Sequence, residues 1–210
     1  MTREGTDSGP RVFLASRNPG KVAEMRRLLD EVVPGVEVLG IKDVSDYDEP
    51  AESEPTFEGN ARLKAIAGVE ATGLPSLADD SGLCVDALNS MPGVLSARWS
   101  GAVRNDQANN ALLLAQLSDT PGERRGAQFR CAVVLRLPNG CEQIATGEMR
   151  GRIGHESVGT GGFGYDAVFV PEGLDRTSAE LTPEEKDAIS HRGQAVRAMA
   201  PLVAETLGVR

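Results

Sequence analysis

Near the start of the chain, an apolar run, a polar turn and a helical stripe follow one another without a gap. Val12-Phe13-Leu14-Ala15 reads as a buried strand and Ser16-Arg17-Asn18-Pro19-Gly20 as a turn; from Lys21 onward, Val22, Met25, Leu28 and Leu29 fall on one helical face. A strand that passes directly into an amphipathic helix builds a layered α/β fold, in which the helix packs back on the sheet.

The alternation continues along the chain. Residues 36–41 predict a second strand, and Thr56 predicts the N-cap of a helix that runs to Thr72 before Gly73 stops it. Leu77-Ala78 leads a third strand into Asp79-Asp80-Ser81-Gly82, and residues 83–88 continue it. Residues 105–117 predict a helix, and residues 128–137 and 142–149 predict two strands joined by a turn at Pro138-Asn139-Gly140. Residues 167–170 predict another strand. Thr182-Pro183-Glu184-Glu185 is a capping box with proline at the first helical position, and a last helix is expected over residues 194–207. The reading is mixed α/β around a central sheet: one domain over residues 11–210 behind a polar, disordered tail at residues 1–10.

A chain of 210 residues buries about 70% of its unfolded surface and needs no disulfide or zinc staple. Its three cysteines, Cys84, Cys131 and Cys141, are widely spaced and form no metal-binding pattern, so they are expected as reduced thiols in the cytoplasm. No apolar run approaches the roughly 18 residues of a membrane span, which argues against a membrane partner. The net charge of -9 repels nucleic acid, so a polyanionic ligand needs a local site built from basic groups, backbone amides or a metal ion.

Five segments carry such chemistry. Ser16-x-Asn18-x-x-Lys21 lies between strand and helix, where unpaired N–H groups and partial positive charge hold phosphates; an ordinary capped turn is the alternative. Asp79-Asp80-Ser81-Gly82 follows a buried strand. Successive side chains there face opposite sides, so one carboxylate can face a site while its neighbour faces away. A carboxylate at a strand end suits magnesium, which binds through one or two carboxylates plus substrate phosphates; a plain Asp-Asp-Ser-Gly turn is the alternative. Of Asp46, Asp48, Glu49, Glu52 and Glu54, most are solvated surface charges and one can be a second metal acid. Residues 159–166 hold four glycines beside Phe163, Tyr165 and Asp166, which suits close approach to a stacked base. Lys186 and Ser190-His191-Arg192-Gly193 suit an anion or a purine, although a helix C-terminus ending in His-Arg-Gly is also explained by the helix dipole and a glycine cap.

In this order the blocks resemble the inosine triphosphate pyrophosphatase family, the HAM1-like pyrophosphatases of non-standard purine nucleotides. The likeness rests on Ser16-x-Asn18-x-x-Lys21, Thr56-Phe57-x-x-Asn60-Ala61, Ala78-Asp79-Asp80-Ser81-Gly82-Leu83, Pro92-Gly93-Val94-x-Ser96-Ala97-Arg98-Trp99-Ser100-Gly101, Gly162-Phe163-Gly164-Tyr165-Asp166, and the run from Ala179 through Lys186 to Gly193. It implies an elongated mixed β-sheet flanked by helices, two lobes with a central substrate cleft, and a homodimer. It also implies magnesium-dependent hydrolysis of inosine, deoxyinosine and xanthosine triphosphates to the monophosphate and pyrophosphate.

The resemblance assigns roles by position. Ser16, Arg17, Asn18, Pro19, Gly20 and Lys21 hold the triphosphate; Asp80 binds magnesium and accepts a proton from the attacking water. Glu52 is the second metal acid, with Glu49 the fallback. Ser81 touches substrate, Phe163, Gly164, Tyr165 and Asp166 enclose the base, and Lys186, His191 and Arg192 contact base or phosphate. Donors from His191 or Arg192 pair with a 6-oxo group but not with the 6-amino group of adenine. The chain departs from the family pattern at Ala167, where proline is usual, at Glu54-Pro55, where glycine is usual, and at Met149-Arg150, where Trp-Pro is commoner. Two other readings are a nucleotide sensor without turnover and a related pyrophosphatase with a different base preference. Asp80 and Lys21 count against the first, and Ser190-His191-Arg192 against the second.

Overall fold

The computed structural model describes residues 10–44, 47–101 and 104–208, and for Val32 its backbone alone. Residues 1–9 of the expected tail and Asp46 lie outside the described residues; the Pro10 carbonyl accepts from Glu37 N–H at 2.9 Å.

The opening unit forms as its pattern requires: strand β1 (Arg11–Leu14) feeds helix α1 (Pro19–Val32), whose N-cap Asn18 accepts from Gly20 N–H. Strand β2 (Glu37–Leu39) pairs parallel with one side of β1, and β3 (Ser76–Val85) pairs parallel with the other. Helix α2 (Phe57–Thr72) carries the chain from β2 to β3; Thr56 caps its start and Gly73, left-handed at φ 67°, ends it. Two antiparallel strands, β5 (Gly126–Arg136) and β6 (Glu142–Ile153), extend the sheet from β3, and β7 (Phe169–Pro171) follows on β6. The short β4 (Met91–Pro92) pairs with the far end of β3, giving seven strands in the order β2-β1-β3-β5-β6-β7 with β4 alongside.

Helices cover both faces. On one, α1 and the last helix α5 (His191–Leu207) pack Met25, Leu28, Leu29, Val196 and Met199 against Leu14, Leu77 and Val133. On the other, α2 lays Ala61 and Ala65 against Phe13, Ala78 and Val134. Beyond the middle of the sheet, helix α3 (Asp106–Gln116) packs Leu113 with Leu83, Phe129, Tyr165 and Phe169 in a second apolar centre. Buried Arg125 ties the end of α3 to the end of β6, donating to the carbonyls of Leu117 at 2.6 Å and Ile153 at 2.9 Å. Apolar centres toward both ends of one continuous sheet make the two lobes.

Several expectations need correction. Asp79-Asp80-Ser81-Gly82 is no turn at a strand end. β3 runs unbroken through it, with Asp79 opposite Val133 and Asp80 opposite Ala132. Buried cations neutralise these carboxylates, so the strand need not leave the core to solvate them. The last helix starts three residues before the expected Gln194, because Ser190 both ends α4 (Pro183–Ile189) and caps α5 by accepting from Gly193 N–H. His191-Arg192 therefore opens a helix and does not close one. The expected strand at residues 167–170 shifts to Phe169–Pro171, and residues 86–88, expected to prolong β3, form a 3-10 turn. Residues 40 and 41, expected within the second strand, lie beyond Leu39, where a 3-10 turn starts at Ile41.

Candidate active site

The sheet opens where β1 stops. β1 partners β3 only as far as Leu77, and β4 joins β3 only from Cys84 onward, so the edge of β3 between them has no neighbouring strand among the described residues. The two parallel partners of β1 leave on opposite sides, and such a switch point beyond the carboxyl ends of strands leaves a crevice. A cleft of about 440 Å³ occupies it, running from the first turn of α1 to the Gly-rich loop.

At one end, cations and acids converge on the paired aspartates. Lys21 Nζ, from the first turn of α1, lies 3.1 Å from Asp79 and 3.9 Å from Asp80. Because the two side chains point to opposite faces, they meet different partners. Asp79 takes Arg192 Nε at 3.2 Å, whereas Asp80 takes Asn60 Nδ2 at 3.2 Å and Lys64 Nζ at 3.4 Å from α2. Burial would raise the Asp79 carboxyl, but Lys21, Arg192 and Lys64 outweigh it and hold the group well below the usual carboxylate range. For Asp80 burial prevails over Lys21 and Lys64, with Glu52 and Asp79 adding repulsion, and its affinity for a proton rises. Two neighbours in sequence are thereby pushed apart in acidity.

Glu52 reaches the same centre. Its carboxylate accepts from Lys64 Nζ at 3.0 Å and from Arg98 Nη1 at 3.1 Å, and Arg98 also holds the Glu52 carbonyl. Asn60 braces this segment through both polar atoms of Glu54's backbone, so Glu54-Pro55 leaves Glu52 at the cleft. Glu49 lines the cleft as well. Burial would strip the Lys64 proton, yet Asp80, Asp79 and Glu52 hold it well above the ordinary lysine range. Among the described residues no group of three or more His, Cys, Asp or Glu side chains forms a metal cage. Asp80 and Glu52, facing one ammonium, fit instead a magnesium ion that takes one or two carboxylates and completes its shell with phosphates and water.

The other end sets aromatic rings among charged side chains. Phe163 lies over the first turn of α1, so close to Gly20 that a Cβ there would come within 2.8 Å of the ring. Lys186 Nζ sits 4.9 Å from the Phe163 centroid and donates to Asp166 at 2.6 Å. His191 stacks on Phe129, centroids 4.9 Å apart and planes 11° apart. Burial, then Arg192, Lys186 and Lys21, push its pKa well below the histidine norm, so the ring is neutral; its Nδ1 is buried without a partner among the described residues. Arg192 is committed within the protein: besides Asp79 it bonds Glu24 and donates Nη2 to Ser81 Oγ at 2.8 Å.

Of the residues singled out from sequence, Ser16, Arg17, Asn18, Lys21, Glu52, Asp80, Ser81, Phe163, Gly164, Tyr165, Asp166, Lys186, His191 and Arg192 line this one cleft. Pro19 and Gly20 do not: Pro19 is exposed and Gly20 lies beneath Phe163. Sequence reasoning missed Lys64, Asn60 and Arg98. A signal existed for two of them, since Asn60 and Lys64 fall one turn apart on the stripe that α2 buries. Trp99 is half-buried and donates to Gln116 on α3 at 3.0 Å.

Polyanion chemistry at one end of a two-lobed cleft and flat-ring chemistry at the other define a nucleotide-handling α/β protein. The chain belongs to the Ham1 family, whose model matches residues 12–202. It is 59% identical over 195 residues to a dITP/XTP pyrophosphatase of Nocardia farcinica, covering 92% of this chain and 95% of that protein. A solved nucleoside-triphosphatase / dITP/XTP pyrophosphatase from Mycobacterium abscessus is 56% identical with a TM-score of 0.74, over 92% of this chain and 99% of that one. A HAM1 protein structure from Coxiella burnetii is 39% identical with a TM-score of 0.84, over 93% and 99% of the two chains.

Proposed function

We propose that this protein is a nucleoside-triphosphate pyrophosphatase that hydrolyses inosine, deoxyinosine and xanthosine triphosphates to the monophosphate and pyrophosphate. The observation that carries this reading is the contact of Lys21 with buried Asp79 and with Asp80, which lines the same cleft as Lys21 and Phe163. Relatives that match nearly the whole chain bear the dITP/XTP pyrophosphatase name.

The phosphates lie against the first turn of α1, where Ser16 and Asn18 meet their oxygens and Lys21 takes up charge that builds on the leaving pyrophosphate. Lys64, locked protonated between Asp80 and Glu52, adds a second fixed positive charge. Asp80, with its raised proton affinity, orients the attacking water and accepts its proton, while Asp79 stays charged and fixes Lys21 and Arg192. Magnesium held by Asp80 and Glu52 would neutralise the triphosphate and help lower the pKa of a nearby water. At the other end the base packs against Phe163. The neutral His191 ring, whose Nδ1 has no partner among the described residues, meets the 6-oxo edge, and Arg192 holds its surroundings rigid.

The chain acts as a cytoplasmic homodimer, a reading supported by the family resemblance and by three free cysteines; equilibrium sedimentation tests the dimer. No helix among the described residues is long and apolar enough to cross a membrane. The deciding measurement is pyrophosphate release with magnesium from a panel of inosine, xanthosine, guanosine and thymidine triphosphates. The first two are expected to be preferred, and Asp80→Asn is expected to slow turnover by roughly 10²–10⁴-fold. A wild-type rate in Asp80→Asn removes the proposed base, and a preference for thymidine removes the purine assignment.

A further inference from the structure

The Gly-rich wall of the cleft is held by a helix that none of the chemical motifs includes. Asp106, the first residue of α3, accepts from Gly164 N–H through Oδ2 at 2.6 Å. One turn later Asn110 donates from Nδ2 to the Gly164 carbonyl at 3.1 Å. Both polar groups of one loop residue are thus taken by side chains of α3. Gly164 has φ 64°, a left-handed conformation in which a side chain would be strained, and it directly follows Phe163. On the other flank, Phe163 N–H donates to Asp166 Oδ2 at 2.8 Å.

The mount itself is rigid. Asn105 caps α3 by accepting from Ala108 N–H at 3.0 Å, and Leu113 and Leu117 pack with Tyr165 and Phe169 in the second apolar centre. Asn110 is buried, and the other oxygen of Asp106 faces Arg104 at 4.0 Å beside the cleft.

We propose that Asp106 and Asn110 are positioning residues that, through Gly164, set the height of the Phe163 ring above the first turn of α1 and so the width of the base-binding end. This rests on the pyrophosphatase reading above. The two side chains act through the loop backbone, bonding Gly164 and not Lys21 or Asp80, so they govern KM and the discrimination between bases more than kcat.

The test compares kcat and KM for inosine and guanosine triphosphates in Asp106→Ala, Asp106→Asn, Asn110→Ala, Phe163→Ala and the Asp106→Ala/Phe163→Ala pair. Thermal melts identify any variant that has lost its fold, and Asn110→Ala stands in if Asp106→Ala does so. Losing the Gly164 bond is expected to raise KM for inosine triphosphate about tenfold, more than kcat falls. Asp106→Asn, whose amide oxygen still accepts from Gly164, is expected to recover most of this. In the Phe163→Ala background the Asp106→Ala penalty is expected to vanish, because the ring it positions is gone. Unchanged KM in both α3 variants, or a penalty that adds in full to Phe163→Ala, overturns the proposal. If the wild type releases no pyrophosphate, the parent reading fails instead, and calorimetric Kd values for inosine triphosphate in the same variants still decide the positioning role.

Discussion

Asp79 and Asp80 show how one bond along a strand can separate two electrostatic roles. Alternation of side chains across a sheet was legible in the residues; which carboxylate stays charged was not, because that depends on Arg192 and Lys64 arriving from distant helices. His191 makes the same point with opposite sign. Burial disfavours its cation, as do Arg192, Lys186, Lys21 and the positive end of its own helix, while Asp79 opposes them only in part. The unfolded imidazole protonates near pH 6.5, and the folded one resists. As pH falls below that value the unfolded chain gains a proton the folded chain refuses, so this residue's contribution to stability drops; above it the contribution is constant. Melts of wild type and His191→Gln at about pH 7.5 and about pH 5.5 check this, the wild-type advantage in Tm being expected to shrink at the acid end. A gap that does not change with pH would mean the ring is not held neutral by burial.

Helix α5 meets the sheet through a glycine, and its placement decides where His191 and Arg192 stand. A Cβ on Gly147 of β6 would lie 2.1 Å from the His191 carbonyl oxygen and 2.8 Å from Ala195 N. Gly147→Ala is therefore expected to lift the first turn of α5, costing about 1–3 kcal/mol of stability and raising KM, since backbone cannot rotate aside as a side chain can. At Gly122 the nearest atom to such a Cβ is His155 Nε2 at 3.8 Å, so Gly122→Ala is expected to shift stability by less than about 0.5 kcal/mol. Denaturant midpoints of the two variants provide the comparison, and equal midpoints would show that the α5–β6 contact tolerates movement. The caps at Thr56 and Thr182 were readable because a cap is a contract between residues three apart. The start of α5 was not, because one serine closes a helix and opens the next, and the residues after it resemble a helix end.

Over the whole molecule, β3, β5 and β6 span 10, 11 and 12 residues and contribute to both apolar centres. The lobes share their longest strands, so they are expected to unfold together in one calorimetric transition. A non-hydrolysable inosine triphosphate analogue with magnesium, at a hundred times its Kd, is expected to move that transition up by about 2.7 kcal/mol of stability. Two transitions, only one of them moved by ligand, would show that the lobes are independent. The net charge of -9 makes the location of the cations decisive, because the molecule as a whole repels the ligand that Lys21 and Lys64 attract. The sequence alone determined the alternation of strands and helices, most of the caps, and the set of blocks that carries the family resemblance, all signals written in nearby residues. Tertiary structure alone decided that Arg98 joins the site and that Arg192 is spent on Asp79, Glu24 and Ser81. It also decided that the aspartate pair, expected at a strand end, stays inside a strand. The physical reason is that burying a charge depends on partners brought from far along the chain by the order and register of the sheet, and no local pattern encodes that meeting.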